Sequence, residues 1–429
     1  MTIRSLAKKI IAYTIEDEYK VYRLRKTKLR IRIRFTGKYH KCFDHETICP
    51  NKIVFDNYMG NGYGCNPKYV LKRLLEMPEK MTEGLDLVWI TKTPELLRPI
   101  LPARVRIVLY DSEQAFYEYA TAKLWVKNFQ MVHLLNQGLL KKPEQVYIQM
   151  WHGSFGIKKI EGDCGYLNAD KAWLALAKKN AAYTDFWISN SRFETEVYKR
   201  AFWGAGKILE YGHPRNDLFF EQDQLQYKRK VQEAYGIAPE KKLFFYMPTF
   251  RDQDHGLLQP LPYEKIAEAL EMRFGGEWVC LVRLHPRRVS REQIEALKEQ
   301  AVMDATMYPD VQELLAAADA MVTDYSSAIF DFMLTKRPGF ILAEDYDAYE
   351  QVRGFYYPLT DTPFPLAKTD AELLEQIRIF DEERYGQKID AFLKEKGSVE
   401  DGNAAKRVAE LILTQTGKVS KKPEEENVI

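Results

Sequence analysis

The sequence predicts an α/β protein of two doubly wound domains that face each other across a cleft, preceded by a basic N-terminal arm. A chain of 429 residues exceeds what one core usually supports, because single cores stop growing near roughly 250–300 residues. In both halves short apolar runs alternate with amphipathic stretches, which is typical of βαβ units and parallel sheets. Between the halves, residues 220–240 are rich in Gln, Lys and Glu and contain no recognisable strand.

The arm, assigned to residues 1–45, is strongly basic. Its first 41 residues contain 13 Lys and Arg against three acidic residues, so the rest of the chain carries about −8 of the overall +2. A basic arm on an acidic protein needs an anionic partner, either nucleic acid or the inner leaflet of a membrane. From Leu24 to Phe35 apolar residues alternate with Lys and Arg, which suits an interfacial contact. A solvated basic edge strand is the alternative.

The first domain is assigned to residues 46–225 and the second to residues 226–416, with a polar tail over 417–429. Six strands are predicted in the first domain, at Ile53–Asp56, Leu87–Thr91, Val105–Leu109, Val146–Met150, Phe186–Ser189 and Ile208–Tyr211. Four are predicted in the second, at Leu243–Met247, Trp278–Leu284, Ala320–Thr323 and Phe340–Leu342. The predicted helices are Pro67–Leu75, Ala169–Ala181, Tyr263–Arg273, Val311–Ala317 and Ser327–Leu334.

Several classes of protein are excluded by what the sequence lacks. No apolar run approaches the roughly 20 residues of a spanning helix, and the start lacks the continuous apolar core of a signal peptide, so we expect a cytoplasmic protein. Five cysteines without a CxxC pair argue against a disulfide framework and a structural zinc site. The absence of a P-loop lysine motif and of an intact GxGxxG after a strand argues against a kinase of that type or a nicotinamide enzyme.

Residues that follow the predicted strands are the first candidates for a site, since open parallel sheets bind ligands beyond the carboxyl ends of their strands. Three of the seven histidines, His152, His213 and His285, lie at such ends. A single buried histidine is usually a packing residue, but three at one rim indicate function. No carboxylate cluster accompanies them, so no metal is expected. The other candidates at these strand ends are Gly153, Gly212, Pro214, Arg215, Pro248, Thr249, Arg251 and Arg283.

A further strand end predicts a diphosphate site. Thr323 and Asp324 lead to Ser326 and Ser327, which can cap a new helix whose first amides face outward. A helix N-terminus after a buried strand favours anions through its unsatisfied amides and its dipole. A simple N-cap is the structural alternative. The glycine-rich loop over residues 60–64 follows the first strand and either contacts the acceptor or is only a tight turn.

These motifs, taken in order, resemble the CDP-glycerol glycerophosphotransferases, the family of teichoic acid primases and polymerases. The matching stretches over roughly residues 50–415 are Gln149-Met150-Trp151-His152-Gly153, Gly212-His213-Pro214-Arg215-Asn216-Asp217, Met247-Pro248-Thr249-Phe250-Arg251, Leu284-His285-Pro286 and Thr323-Asp324-Tyr325-Ser326-Ser327, with Asn66-Pro67 and Arg353-Gly354-Phe355-Tyr356 near the two ends. One departure is Ser154-Phe155-Gly156 after the histidine, where other members often have a Thr-Pro-Leu-Lys type of sequence. The choice between CDP-glycerol and CDP-ribitol as donor therefore stays open.

The resemblance implies a GT-B-like pair of Rossmann-like domains, with the cytidine nucleotide in the second domain and the acceptor in the first. It implies a peripheral, monotopic protein on the cytoplasmic face of the cell membrane, where the acceptor is a polyprenyl-diphosphate-linked saccharide or a growing polymer. The basic arm fits an anionic membrane surface. No cofactor and no nucleic acid partner is expected.

In such a transfer an acceptor hydroxyl attacks the β-phosphorus in line and expels CMP. We expect His152 to act as the base, and His285 with Arg251, and less directly Arg215, to neutralise the diphosphate. Ser326 and Ser327 would hold it, and Asp331 would orient the polyol or the ribose. The nearest rival is a GT-B glycosyltransferase that uses a nucleotide sugar. A basic-armed RNA-binding protein is a second rival, but no recognisable RNA module is present.

Overall fold

The structure, a computed structural model, describes residues 43–165, 170–249, 261–284 and 302–419. Most of the predicted basic arm, the end of the polar tail, Arg251 and His285 lie outside these ranges. The described residues form two parallel β-sheets, each covered by helices. No helix among them combines the length and the apolarity needed to cross a bilayer.

The first sheet has seven parallel strands in the order β3-β2-β1-β4-β5-β6-β7. Their bounds are β1 Cys49–Asp56, β2 Asp86–Thr91, β3 Val105–Leu109, β4 Ala122–Lys127, β5 Val146–Gln149, β6 Phe186–Ser189 and β7 Lys207–Glu210. The order reverses between β1 and β4, and the chain leaves the carboxyl ends of these strands toward one rim. In doubly wound sheets this reversal opens the crevice in which ligands bind.

The second sheet has six parallel strands in the order β10-β9-β8-β11-β12-β13. Their bounds are β8 Lys242–Tyr246, β9 Trp278–Val282, β10 Met303–Asp304, β11 Ala320–Thr323, β12 Gly339–Leu342 and β13 Leu366–Ala367. Here the order reverses between β8 and β11, so the second domain repeats the architecture of the first. Each of the ten predicted strands is present with its ends within a few residues, whereas β4, β10 and β13 were not predicted.

The α-helices that cover the first sheet precede the second domain in the chain, with one exception described below. They are α1 Cys65–Glu76, α2 Glu79–Thr82, α3 Pro94–Leu97, α4 Glu113–Thr121, α5 Val132–Asn136, α6 Lys171–Tyr183 and α7 Arg192–Ala201. The later helices are α8 Leu225–Tyr235, α9 Tyr263–Phe274, α10 Val311–Ala317, α11 Ala328–Phe332, α12 Tyr346–Arg353, α13 Asp370–Arg378, α14 Glu382–Lys396 and α15 Ala404–Gln415. Between β7 and α8 lies a 3₁₀ helix, Pro214–Phe220.

Alternate residues of β1 supply two separate cores, because successive side chains of a strand point to opposite faces. Ile53 and Phe55 join the core that contains residues of α1, while Val54 joins the core that contains residues of α4 and α5. A single large core covers the second sheet. Burial on both faces explains why the strands are nearly continuous apolar runs.

The last helix, α15, crosses back to the first domain. Val408 and Ile412 are fully buried in the same core as Ile53 and Phe55. The sequence assigns residues 226–416 to the second domain, but the last helix of this range packs on the first domain. The segment between α14 and α15 crosses from the second domain to the first. It contacts the first domain through a hydrogen bond from the amide of Val399 to the carbonyl of Asn190 at 2.9 Å.

Candidate active site

The turn that carries His152 follows β5 and is held by side chains on both sides. Trp151 has a φ of +49°, a left-handed conformation that costs energy in a bulky residue and persists only where the surroundings enforce it. The Asn66 amide donates to the carbonyls of Met150 and Trp151, each at 3.1 Å, and Gln149 Oε1 accepts from the Trp151 amide at 3.0 Å. The strained turn is thus fixed by the residues around it.

The imidazole of His152 lies among aromatic rings and is oriented by one hydrogen bond. Nδ1 lies 3.0 Å from the carbonyl oxygen of Asn128, a group that only accepts, so Nδ1 carries the proton and Nε2 carries the lone pair. The rings of Tyr58, Phe129 and Trp151 lie within 5.3 Å, centroid to centroid. Burial lowers the pKa of His152 to about 4, so the ring is neutral at physiological pH.

Arg215 differs from its expected role as a diphosphate ligand. Its side chain is only 3% exposed, and Nε and Nη2 donate to the carboxylate of Asp331 at 2.8 and 3.2 Å. Nη2 also donates to the carbonyl of Gly153 at 2.9 Å. Both side chains are buried and their charges are paired with each other, so in this geometry neither is directed to a ligand. The proposal that Asp331 orients the polyol is corrected by the same geometry.

His213 and Gly212 also lie in the packed wall behind the site. His213 is fully buried, with Nε2 2.9 Å from a carboxylate oxygen of Glu194. Gly212 has a φ of +86°, and a Cβ there would lie 3.0 Å from a carboxylate oxygen of Glu400. Pro214 begins the buried 3₁₀ helix. The expectation that these residues contact substrate is therefore replaced by a packing role.

Four candidates on the second domain lie where β8 and β11 end, and three of them, Thr249, Thr323 and Asp324, take part in hydrogen bonds there. Thr323 Oγ1 donates to the carbonyl of Met247 at 2.6 Å, and the carboxylate of Asp324 accepts from the Thr249 amide at 2.8 and 3.0 Å. Pro248 between them is buried. These bonds hold the ends of β8 and β11 together.

Arg283, which follows β9, also uses its guanidinium for hydrogen bonds within the protein. Its Nη1 donates to the carbonyls of Ala305 and Tyr308 at 3.0 and 2.7 Å. Burial lowers the pKa of its guanidinium. The side chain fixes the loop after β10, and the ligand contact expected for it stays a prediction.

Ser326 and Ser327 are half-buried and start α11. A Cβ built on Gly156 would lie 3.7 Å from Cβ of Ser327, so the loop after His152 packs directly against this helix start. The Ser327 side chain does not cap the helix, while Ser326 Oγ accepts a long bond of 3.4 Å from the Ala328 amide. The structure therefore brings the loop that follows His152 into contact with the start of α11 at Ser327.

Two residues around the turn, Asn66 and Asn128, were missed or left without a role in the sequence. Asn66 belongs to the resemblance but was given no role, and the structure makes it a clamp on the turn. Asn128 orients His152 and also accepts from the Tyr58 amide at 3.0 Å through Oδ1. Asn128 directly follows β4, so the rule of inspecting strand ends would have found it had this strand been recognised.

Comparison with known proteins identifies the family. The family model for CDP-Glycerol:Poly(glycerophosphate) glycerophosphotransferase matches residues 39–414. The chain is 30% identical over 416 residues to a teichoic acid poly(glycerol phosphate) polymerase of Staphylococcus epidermidis, which covers 92% of this chain and 56% of that protein. It is 30% identical over 379 residues to a teichoic acid glycerol-phosphate transferase of Staphylococcus aureus, with 85% and 93% covered. The chain thus spans a little over half of the first relative and nearly all of the second.

Solved structures give the same result. The wall teichoic acid polymerase TagF superposes with a TM-score of 0.76 at 28% identity, over 93% of this chain and 98% of that one. A TagF variant with one histidine replaced by asparagine, soaked with CDPG, gives a TM-score of 0.75. The predicted fold, family and enzyme class are confirmed, and the rival RNA-binding and nucleotide-sugar hypotheses are not supported. The chain belongs to the CDP-glycerol:poly(glycerophosphate) glycerophosphotransferase family, whose relatives here are enzymes of teichoic acid synthesis.

Proposed function

We propose that this enzyme transfers glycerol phosphate from CDP-glycerol to an acceptor hydroxyl, with His152 as the general base. The observation that carries the proposal is the bond from His152 Nδ1 to the carbonyl of Asn128, at 3.0 Å. It leaves the lone pair on Nε2, the atom that would take the proton. A neutral imidazole is required for this step, and burial keeps His152 neutral.

The reaction balances without a further reactant. The acceptor oxygen forms a bond to the β-phosphorus of the donor, the bond from that phosphorus to the bridging oxygen breaks, and CMP leaves with the electron pair. The acceptor proton goes to Nε2 of His152. The half-buried Ser326 and Ser327 face the loop after His152, which supports their proposed role in holding the diphosphate. His285 and Arg251 are proposed from the sequence to neutralise it.

Glycerol is the proposed polyol because the relatives reported above are named for glycerol phosphate. Other relatives are named for ribitol phosphate, so CDP-ribitol is the natural comparison. Purified protein with a soluble acceptor should release CMP from CDP-glycerol faster than from CDP-ribitol. Release of UDP from a panel of UDP-sugars, without CMP release, would instead establish a glycosyltransferase.

Replacement of His152 tests the base. His152→Gln should lower kcat for transfer by roughly 10²–10⁴-fold, the usual contribution of a general base, while CDP binding measured by calorimetry stays near wild type. His133, a half-exposed histidine of the same domain that lies 3.5 Å from Asp111, provides the control variant His133→Gln. Substantial transfer by a folded His152→Gln protein would remove His152 from the role.

The basic arm supports a peripheral position on the cytoplasmic face of the membrane, where a polyprenyl-diphosphate-linked saccharide would be the acceptor. The net charge of about +10 over residues 1–41 favours an anionic surface. Deletion of residues 1–34 should abolish salt-sensitive binding to liposomes that contain anionic lipid, while activity on a soluble acceptor stays close to that of the full chain. Retention of the truncated protein on the same liposomes would place the attachment elsewhere.

A further inference from the structure

We infer that the buried pair of Arg215 and Asp331 is a positioning device, which fixes the turn carrying His152 relative to Ser326 and Ser327 on the other domain. The inference rests on the proposed function, because it concerns how the base and the donor are aligned. It assigns the two residues a task different from binding the substrate.

The Arg215 end of the pair holds the turn. Its Nη2 donates to the carbonyl of Gly153 at 2.9 Å, and its backbone amide donates to Oδ1 of Asn66 at 3.0 Å. Asn66 in turn donates to the carbonyls of Met150 and Trp151. Carbonyls on both sides of His152 are therefore attached, directly or through one side chain, to Arg215.

The Asp331 end holds the donor side. Asp331 lies in α11, four residues after Ser327, so a shift of its carboxylate shifts the start of that short helix. Its Oδ2 also lies 3.3 Å from Nε2 of Gln312 in α10, and the same nitrogen donates to Oδ1 of Asn216 at 2.9 Å. Two connections thus join the 3₁₀ helix of the first domain to the second domain beside the crevice.

The chemistry of the pair favours a role in aligning the two domains over a role in stabilising the contact between them. Desolvation of two charges offsets much of their attraction, so a buried ion pair contributes little net stability and its directional bonds are what it adds. The planar guanidinium reaches a carboxylate and a carbonyl at once, which a lysine cannot do in the same geometry. A displacement of about 1 Å between reacting groups lowers a rate by roughly 100-fold.

The decisive variant replaces both partners by apolar residues, Arg215→Met with Asp331→Leu, so that no unpaired charge stays buried. We expect cooperative unfolding near that of wild type, a KM for CDP-glycerol within about threefold, and a kcat lowered by roughly 100-fold. Arg215→Lys, which keeps the charge, should show a smaller loss in kcat at the same KM. The matched control is Arg192→Met, which removes an exposed cation that also bonds across the two domains, with Nη2 donating to the carbonyl of Glu395 at 3.2 Å, outside the turn and α11. It should keep kcat within about twofold.

A folded double variant with wild-type kcat would overturn the inference, as would a loss of activity that only follows the fraction of unfolded protein. Nuclear magnetic resonance of the His152 ring provides a readout independent of turnover. The signal of the Nδ1 proton, protected by the Asn128 carbonyl in wild type, should broaden or disappear in the double variant and persist in the Arg192→Met control. An unchanged signal would contradict a positioning role. Wild-type protein that releases no CMP from CDP-glycerol would refute the proposed function, while the ring signal would still decide the role of the pair.

Discussion

His152 is subject to two opposing requirements. A base needs some affinity for a proton, yet burial of this imidazole lowers its pKa to about 4. Cationic side chains add to the effect, with Arg215 and Lys158 both lowering the pKa further. A donor that brings two negatively charged phosphate groups to the crevice would reverse this balance, because nearby anions favour the imidazolium. The ring would then become a stronger base only when the donor is bound.

For this reason the pH profiles of kcat/KM and of kcat should have acidic limbs at different pH values. The acidic limb of kcat/KM, which reports the free enzyme, should fall near pH 4, whereas the acidic limb of kcat, which reports the complex, should lie at higher pH. The stability effect has a definite sign as well. The folded pKa of His152 lies below its ordinary value near 6.5, so its contribution to stability is complete above that pH and is lost as the pH falls toward 4.

Titration of the His152 ring by nuclear magnetic resonance, with and without CDP, measures both values directly. A midpoint near 6.5 in the ligand-free protein would show that water reaches the ring. A midpoint that does not rise when CDP binds would contradict the coupling between donor and base.

The sequence predicted the histidine turn and the two serines as parts of one site, because each follows a strand and local patterns show strand ends. It assigned Arg215 and Asp331 to the ligand, whereas the structure pairs them with each other. Their pairing joins residues 116 positions apart, and no periodicity or spacing in the sequence reports which charges meet after folding. A conspicuous arginine at a strand end is therefore ambiguous until its partner is known.

The central strand β4 illustrates how a buried polar residue conceals secondary structure. It has the sequence Ala-Lys-Leu-Trp-Val-Lys and follows α4 with no turn residue between them, so neither a continuous apolar run nor a boundary signal was visible. Lys127 at its end is 1% exposed and pairs with Asp56 at the end of β1, and both contact the Tyr119 hydroxyl. The edge strands β10 and β13, of two residues each, were too short to be recognised.

Removal of Lys127 alone should be severely destabilising. Lys127→Met leaves the carboxylate of Asp56 buried without its cation, which costs roughly 3–5 kcal/mol of unfolding free energy. The double variant Lys127→Met with Asp56→Asn should recover most of that loss, because the amide oxygen can still accept from the Gly60 amide, which lies 2.6 Å from Asp56 Oδ1. Urea unfolding followed by circular dichroism measures both. Equal losses in the single and double variants would show that the charge of Asp56 is not responsible.

The segment between α14 and α15 returns the chain from the second domain to the first. Glu400 in this segment is placed against the first domain, where its Oε1 accepts from the amides of Asn216 at 2.8 Å and Asn190 at 3.1 Å. Burial raises the pKa of Glu400 to about 7, while His213 acts in the opposite direction. A carboxyl group that titrates near neutrality thus lies where the chain returns to the first sheet.

Stability should therefore depend on Glu400 as the pH passes through neutrality. Its folded pKa lies above the ordinary value of 4.5, so its contribution is complete below that pH and is lost as the pH rises through about 7. Glu400→Gln cannot ionise, so the wild type should lose stability relative to this variant between pH 5 and pH 8. Urea midpoints at several pH values provide the comparison, and parallel curves for the two proteins would exclude a role for this carboxyl group.

The sequence predicts the overall architecture, but it does not predict that α15 packs on the first domain. Alternation of apolar runs and amphipathic stretches is a local property, so two doubly wound domains could be predicted without any contact being known. The return of α15 to the first domain was not predicted, since an amphipathic helix packs equally well on any sheet that offers an apolar face. Only the folded chain shows that Val408 and Ile412 belong with Ile53.

That return has a consequence for synthesis on the ribosome. The sheet that receives α15 is complete once Glu210 has been translated, yet its cover begins only at Ala404, nearly two hundred residues later. At roughly 5–20 residues per second, the nascent first domain waits for tens of seconds with this face exposed. The first domain is thus completed only after the second domain has been synthesised, and chaperones that bind apolar surface can act on it during that interval.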